Sequence, residues 1–259
     1  MEASAGLTLL TRLGFAARGL LYLVIAYLLI RIGRAESPTG ALDYLAEGGG
    51  KALLLAMIAG FVAYGVWRMA DALFNVEGHE AGNKGLRERL GAGASGIVHL
   101  LLAWQALRLL RGARADEGGS QAGAQDALSL PGGEIMLMLA GAVLIGVGAF
   151  QIVKAYKCSF LRHLEPGVAN EPWAKWLGRA GYSARGVVFM VSGYFLVRAG
   201  LENQASEAGG FEKSLAWLSD PWNMIVAAGL FGFGLYSLVE ARFRILHGVQ
   251  APSMGRLRL

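Results

Sequence analysis

Long apolar runs alternate along this chain with short polar ones, and the apolar runs fall at about 13–30, 52–70, 90–110, 135–153, 181–197 and 222–239. Each approaches or reaches the roughly 20 helical residues needed to cross a hydrocarbon core of about 30 Å. The pattern predicts an all-α membrane protein with six transmembrane helices, arranged as a single membrane domain over residues 1–259. Composition agrees: 54% of the 259 residues are hydrophobic, 17% are charged and the mean hydropathy is +0.44, against about 25% charged residues in a soluble domain. The first run lacks a small-x-small cleavage pattern and has counterparts later in the chain, so it reads as a span and not as a secretory signal.

The chain also repeats itself, and self-similarity governs how the spans are grouped. Shifting the first span by 77 residues, and then by 90, brings Arg12, Arg89 and Arg179 into register, with Gly14, Gly91 and Gly181, and Gly19, Gly96 and Gly186. Tyr27, Trp104 and Tyr194 follow, and four residues later Arg31, Arg108 and Arg198. The even-numbered spans align with shifts of 83 and 86, matching Gly65, Gly148 and Gly234. Asp43, Asp126 and Glu212 lie in register ahead of them and are expected to cap short external helices or to pair with the arginines. The units lie at about 11–76, 88–160 and 178–246. Each crosses twice, so all three share one orientation, and the expected packing is three parallel two-helix repeats with pseudo-threefold symmetry about the membrane normal.

The segments "TRLGFAARGLLY" and "GRAGYSARGVVF", degraded to "ERLGAGASGIVH" in the middle unit, resemble bacterial integral membrane proteins grouped as domain of unknown function 1206. "GFVAYGVWRMADA" and "GLFGFGLYSLVEA" are similar to the second helix of that family. The resemblance implies a multi-pass bacterial membrane protein in three tandem copies and supplies no activity.

Charge sets the expected orientation, because Lys and Arg accumulate on the cytoplasmic side. The two ends and the connections between units hold 16 Lys or Arg against 8 Asp or Glu; the connections inside units hold 8 against 11. Both termini are therefore expected in the cytoplasm of a bacterial inner membrane. The basic C-terminal stretch "RFRILHGVQAPSMGRLRL" is suited to anionic lipid headgroups, and the polar segments are too short for a nucleic-acid-binding module.

Few residues carry candidate chemistry. Arg12 and Arg31 are separated by about 28 Å of helix and read as interfacial anchors. Arg18 lies about 9 Å deeper than Arg12, where a partner is favoured. Asp71 and Glu240 occupy equivalent places in the second spans of units one and three, and the middle unit has Ser95 for the arginine and Lys154 for the acid. Arg18 with Asp71, and Arg185 with Glu240, are thus candidate interhelical ion pairs inside their own hairpins, and the middle unit is the asymmetric copy. His99, which replaces Tyr22 and Phe189, is a candidate polar site near the midplane. Glycines five apart in every span turn by about 140° and should each address two neighbours, giving closely fitted helices.

His79, His163 and His247 read as isolated, and Cys158 is a lone thiol. "GGG" at 48–50 reads as a hinge, and "ADEGGSQAGAQDA" as a flexible external loop. No nucleotide, zinc-hydrolase, dithiol or serine-hydrolase motif is present. No metal, cofactor or enzymatic activity is expected. The leading expectation is a non-enzymatic membrane module acting through helix packing, lipid or partner proteins; the alternative is a small ion or solute channel or transporter with Arg18, Arg185 and His99 on its path.

Overall fold

The computed structural model describes residues 5–113 and 119–245, and all regular structure among them is helical. The helices are α1 (Ala5–Tyr27), α2 (Pro38–Glu47), α3 (Lys51–Phe74), α4 (Asn83–Leu110), α5 (Gly119–Leu128), α6 (Gly133–Tyr156), α7 (Pro166–Ala169), α8 (Pro172–Glu202), α9 (Phe211–Trp217) and α10 (Trp222–Phe243). Six helices are long and apolar enough to cross a membrane: α1 with its π-helical continuation to Ile32, α3, α4, α6, α8 and α10. Helical spans are required there because hydrocarbon offers no partner to an open backbone group.

Local sequence sets the helix ends. The π turn after α1 stops at Gly33, whose φ of 73° lets its N–H bond back to the Leu28 and Leu29 carbonyls. Asn75 and Asn203 close α3 and α8 in the same left-handed conformation. Ser37 caps α2 by accepting from the Gly40 amide, with Pro38 at the first helical position. Asp43 and Asp126, expected as caps, instead lie inside α2 and α5, and Glu212 lies in the first turn of α9. The glycines at 48–50 make the turn from α2 into α3. Of the expected flexible loop, residues 115–118 lie outside the described residues, and the Ala- and Gln-containing stretch Gly119–Leu128 forms α5, in keeping with the good helix propensity of those residues.

The spans pack in the order α4, α3, α1, α10, α8, α6, each against the next. α4 and α6, which the sequence places in one unit, make at most marginal contact. Only 28% and 22% of their apolar stretches are buried by protein, against 61% for α1. The closely fitted packing expected of every span is therefore absent between these two.

Glycines explain the difference. Apolar surface gives helices in lipid no reason to associate, so close backbone approach decides which pairs form. Gly65 meets Gly96, Gly148 meets Gly186 and Gly234 meets Gly19; a Cβ on any of these six would come within 2.6–3.2 Å of the partner's carbonyl oxygen. Inside the first and third units, a Cβ on Gly14 would strike Tyr64 and one on Gly181 would strike Phe233, while Gly60 and Gly229 admit Ala17 and Ala184. In the middle unit Gly91 and Gly146 have nothing within 4 Å of a built Cβ. Their side of the hairpin is vacant.

Two substitutions separate these roles. Gly148→Ala, forced against the Gly186 carbonyl, is expected to destabilise the protein by about 1–3 kcal/mol. Gly91→Ala is expected to stay within about 0.5 kcal/mol of wild type, since it meets nothing. Thermal unfolding in detergent micelles measures both; equal losses would show that the glycine contacts do not discriminate among the helix pairs.

Candidate functional site

A branched chain of charges runs from the interior of the bundle to the face at which α1 begins and α10 ends. Arg18 is 8% exposed and Glu240 3%. The Arg18 guanidinium donates through Nη2 to Glu240 Oε2 at 2.5 Å and through Nε to Ser237 Oγ at 3.2 Å. Its cation also lies over Phe15 and Phe233, 4.5 and 5.1 Å from the ring centroids, a placement that stabilises a desolvated guanidinium by about 0.5–2 kcal/mol per ring. Glu240 accepts a second bond from Arg244 Nη1 at 3.2 Å, and Arg244 Nη2 reaches Glu77 at 3.4 Å. Burial opposes the charge on Arg244, but Glu240 and Glu77 outweigh it and hold the guanidinium pKa above its usual range.

Arg68 stands 3.6 Å from Glu77 and 3.3 Å from Asp71. Asp71, fully buried, accepts from the Glu77 amide at 2.8 Å and faces His79 Nε2 at 3.0 Å. The other His79 nitrogen, Nδ1, lies 2.9 Å from Glu88. Asn75 positions this histidine: its left-handed conformation turns the chain back under α3, its Oδ1 accepts from the His79 amide and its Nδ2 donates to the His79 carbonyl. Asp71, Glu77 and His79 offer three ligand atoms within 4.8 Å of one another, so they could gather around a cation. The neighbours argue for ion pairing instead. Both ring nitrogens face carboxylates, and Arg68 repels a metal ion from the same carboxylates.

The pairing expected within hairpins is therefore corrected. Arg18 pairs with Glu240 of the third unit, and Asp71 is taken up by Arg68 and His79. Arg185 has no carboxylate within ion-pair distance among the described residues. Its guanidinium lies over Tyr22, Phe189 and Phe233 at 5.6, 4.8 and 5.1 Å, with a buried Nε that finds no partner. The reason is packing: α10 lies against α1 as well as α8, and Gly234 facing Gly19 sets Glu240 beside Arg18.

At the corresponding positions, Asp71 and Ser95 stand on the neighbouring helices α3 and α4, and Lys154 and Arg185 on the neighbouring helices α6 and α8. One interface holds acid and base, one an acid without its arginine, and one two cations. Lys154 donates to the Tyr182 hydroxyl at 3.1 Å. Gln151, one turn before it and 6% exposed, has neither amide atom partnered among the described residues. His99, 7% exposed, donates from Nδ1 to the Ser95 carbonyl at 2.8 Å and packs on Tyr64, with ring centroids 4.3 Å apart. His79, read from sequence as isolated, belongs to the charged chain; the Arg68 and Asp71 spacing of three on one helix was a visible signal for it, but the return of 75–79 was not. His247 and most of the basic C-terminal stretch lie outside the described residues.

Arg68, Glu77, His79, Glu88, Lys154, Glu240 and Arg244 line a cavity of about 940 Å³ whose walls come from the ends of α3, α6 and α10, the start of α4 and the 3-10 turn Ser159–His163. The turn is fixed from above and below: Tyr236 donates to the Phe160 carbonyl at 3.1 Å, and Ile245 and Glu165 bond to His163 and Phe243 across the chain end. Phe150 of α6 and Gly91 of α4 border the cavity between the two helices that do not pack together.

Six apolar helices in three consecutive units, with a charged chain and a cavity on the face bearing the ends, define a membrane protein of internal repeats. The family described as Domain of Unknown Function (DUF1206) matches at residues 13–75, 90–157 and 180–244. The chain belongs to that family. It is 30% identical over 247 residues to "Uncharacterized protein YxxB" of Bacillus subtilis (strain 168), with 90% of each chain covered. No solved structure matches it.

The buried pair gives a sharp expectation. Glu240→Leu leaves Arg18 buried without its carboxylate and should cost about 3–5 kcal/mol, whereas Arg18→Leu combined with Glu240→Leu should recover most of that loss. Unfolding titrations in mixed detergent micelles measure the two variants; a double variant as unstable as the single one would remove the pair from the stability of the fold.

Proposed function

We propose that this protein is a non-enzymatic module of a bacterial inner membrane, with both termini cytoplasmic, that acts by binding through its cytoplasmic-side cavity. The three units adopt a pseudo-threefold arrangement about the membrane normal in which the middle hairpin, α4 with α6, stays open. The observation that carries the reading is the state of the polar groups at membrane depth. A conduit needs them on a shared wet surface; here Arg18 is paired with Glu240, His99 is bonded to Ser95 and Arg185 is boxed by aromatic rings. Support for the orientation comes from the excess of Lys and Arg on the face of the termini.

Two measurements test it. In liposomes holding purified protein, fluxes of several ions and small solutes are expected to match protein-free liposomes; a flux that appears with wild type and changes with Arg18→Ala or His99→Phe would support the channel alternative. Cys158, the one cysteine, follows α6 on the face of the termini. A membrane-impermeant maleimide is expected to label it in inverted vesicles and not in intact spheroplasts, and the reverse result would overturn the orientation.

A further inference from the structure

We infer that the cleft between α4 and α6 is a binding site for an anionic phospholipid of the cytoplasmic leaflet, its phosphate held by Lys154, Arg162 and Arg87 and an acyl chain lying beside Gly91 and Phe150. The inference deepens the binding role and orientation proposed above by naming the ligand class. It begins with the charges that line the cavity. Its acids are Glu77, Glu88 and Glu240. Every one is already engaged: Glu77 by Arg244 and Arg68, Glu88 by His79, and Glu240 by Arg18 and Arg244.

The cations divide differently. Arg68 and Arg244 serve those acids, but Arg87, Lys154 and Arg162 have no carboxylate within ion-pair distance among the described residues. Lys154 meets only the Tyr182 hydroxyl and ring, and Arg162 Nε only His163 Nε2 at 3.4 Å. The cavity therefore has a surplus of three cations, converging from α4, α6 and the turn that follows α6. Lys154 is also the residue that stands where units one and three carry an acid, so the surplus arises from the divergence of the middle unit.

The cleft is amphipathic in the sense a lipid requires. Phe150 is 67% exposed, and Gly91, on the facing helix, has open space where a Cβ would project. Both border the cavity at a position where α4 and α6 leave a lateral gap toward the hydrocarbon. A basic pocket between membrane helices on the cytoplasmic side matches an acidic headgroup, with each cation near the surface adding to the attraction. A free inorganic anion would use the cations and leave the apolar gap unfilled.

Native mass spectrometry of the full-length protein, released from neutral detergent after titration with phosphatidylglycerol or phosphatidylcholine of matched chains, tests the site. Wild type is expected to retain one phosphatidylglycerol in preference to phosphatidylcholine. Lys154→Ala with Arg162→Ala should weaken that retention about thirtyfold, and Gly91→Leu, at a position where a Cβ has nothing within 4 Å, should weaken it with unfolding unchanged. Arg12→Ala, an exposed cation on the same face and away from the cavity, should leave it unaltered. Equal retention of both lipids, or equal loss with Arg12→Ala, overturns the proposal. Displacement of the lipid by inorganic phosphate at the same concentration also overturns it, in favour of a small-anion site. Retention in micelles is independent of flux in liposomes, so a conducting protein that still selects phosphatidylglycerol would refute the non-conducting reading alone.

Discussion

The close approach of helix backbones at paired glycines is the constraint on which the remaining structure depends. In a bilayer, packing and polar contacts, with no hydrophobic driving force between helices, must select helix neighbours. Gly65 with Gly96, Gly148 with Gly186 and Gly234 with Gly19 let successive units touch at their carbonyls. The contacts inside units are of another kind, in which a glycine receives an aromatic residue or an alanine. Where the middle unit offers Gly91 and Gly146 to empty space, the hairpin does not close and the bundle is left with an opening.

That arrangement also decides the fate of the charges. An arginine at the depth of Arg18 is tolerable only with a partner or an aromatic surface, and the approach of α10 at Gly19 supplies both, as Glu240 and Phe233. Arg185 shares Phe233 but has no carboxylate within ion-pair distance among the described residues, so it is held by aromatic rings. Asp71 lacks an arginine on α4 and is neutralised from below by Arg68 and His79. The three outcomes follow from one register applied to three different pairs of side chains. The buried ion pair lies at the α1 and α10 interface, while the middle unit is left with unmatched cations beside a cavity.

A protein built this way separates scaffold from site. The first and third units supply packed hairpins, the aromatic centre around Phe233 and a buried ion pair. The middle unit, released from closing its own hairpin, contributes the wall of a cavity near the membrane surface. Divergence of one repeat is thus a route from a repetitive frame to a single asymmetric cavity.

Much of this was legible in the chain. Apolar run lengths determined six helices, because the bilayer thickness and the helix rise fix how many residues must be apolar. The recurrence of Arg12, Gly14 and Gly19 at later positions determined three units, and Gly five apart correctly implied two neighbours for the helices of the first and third units. Periodicity along one helix is silent about which helix lies opposite, so it points Arg18 to its own hairpin, whereas its partner Glu240 stands in the third unit. Nor could sequence show that the loop after Asn75 returns to place His79 beside Asp71, or that α4 and α6 stand apart. Those were decided in the tertiary structure, since only the competition among all six helices for close backbone contact determines which faces meet and which are left open.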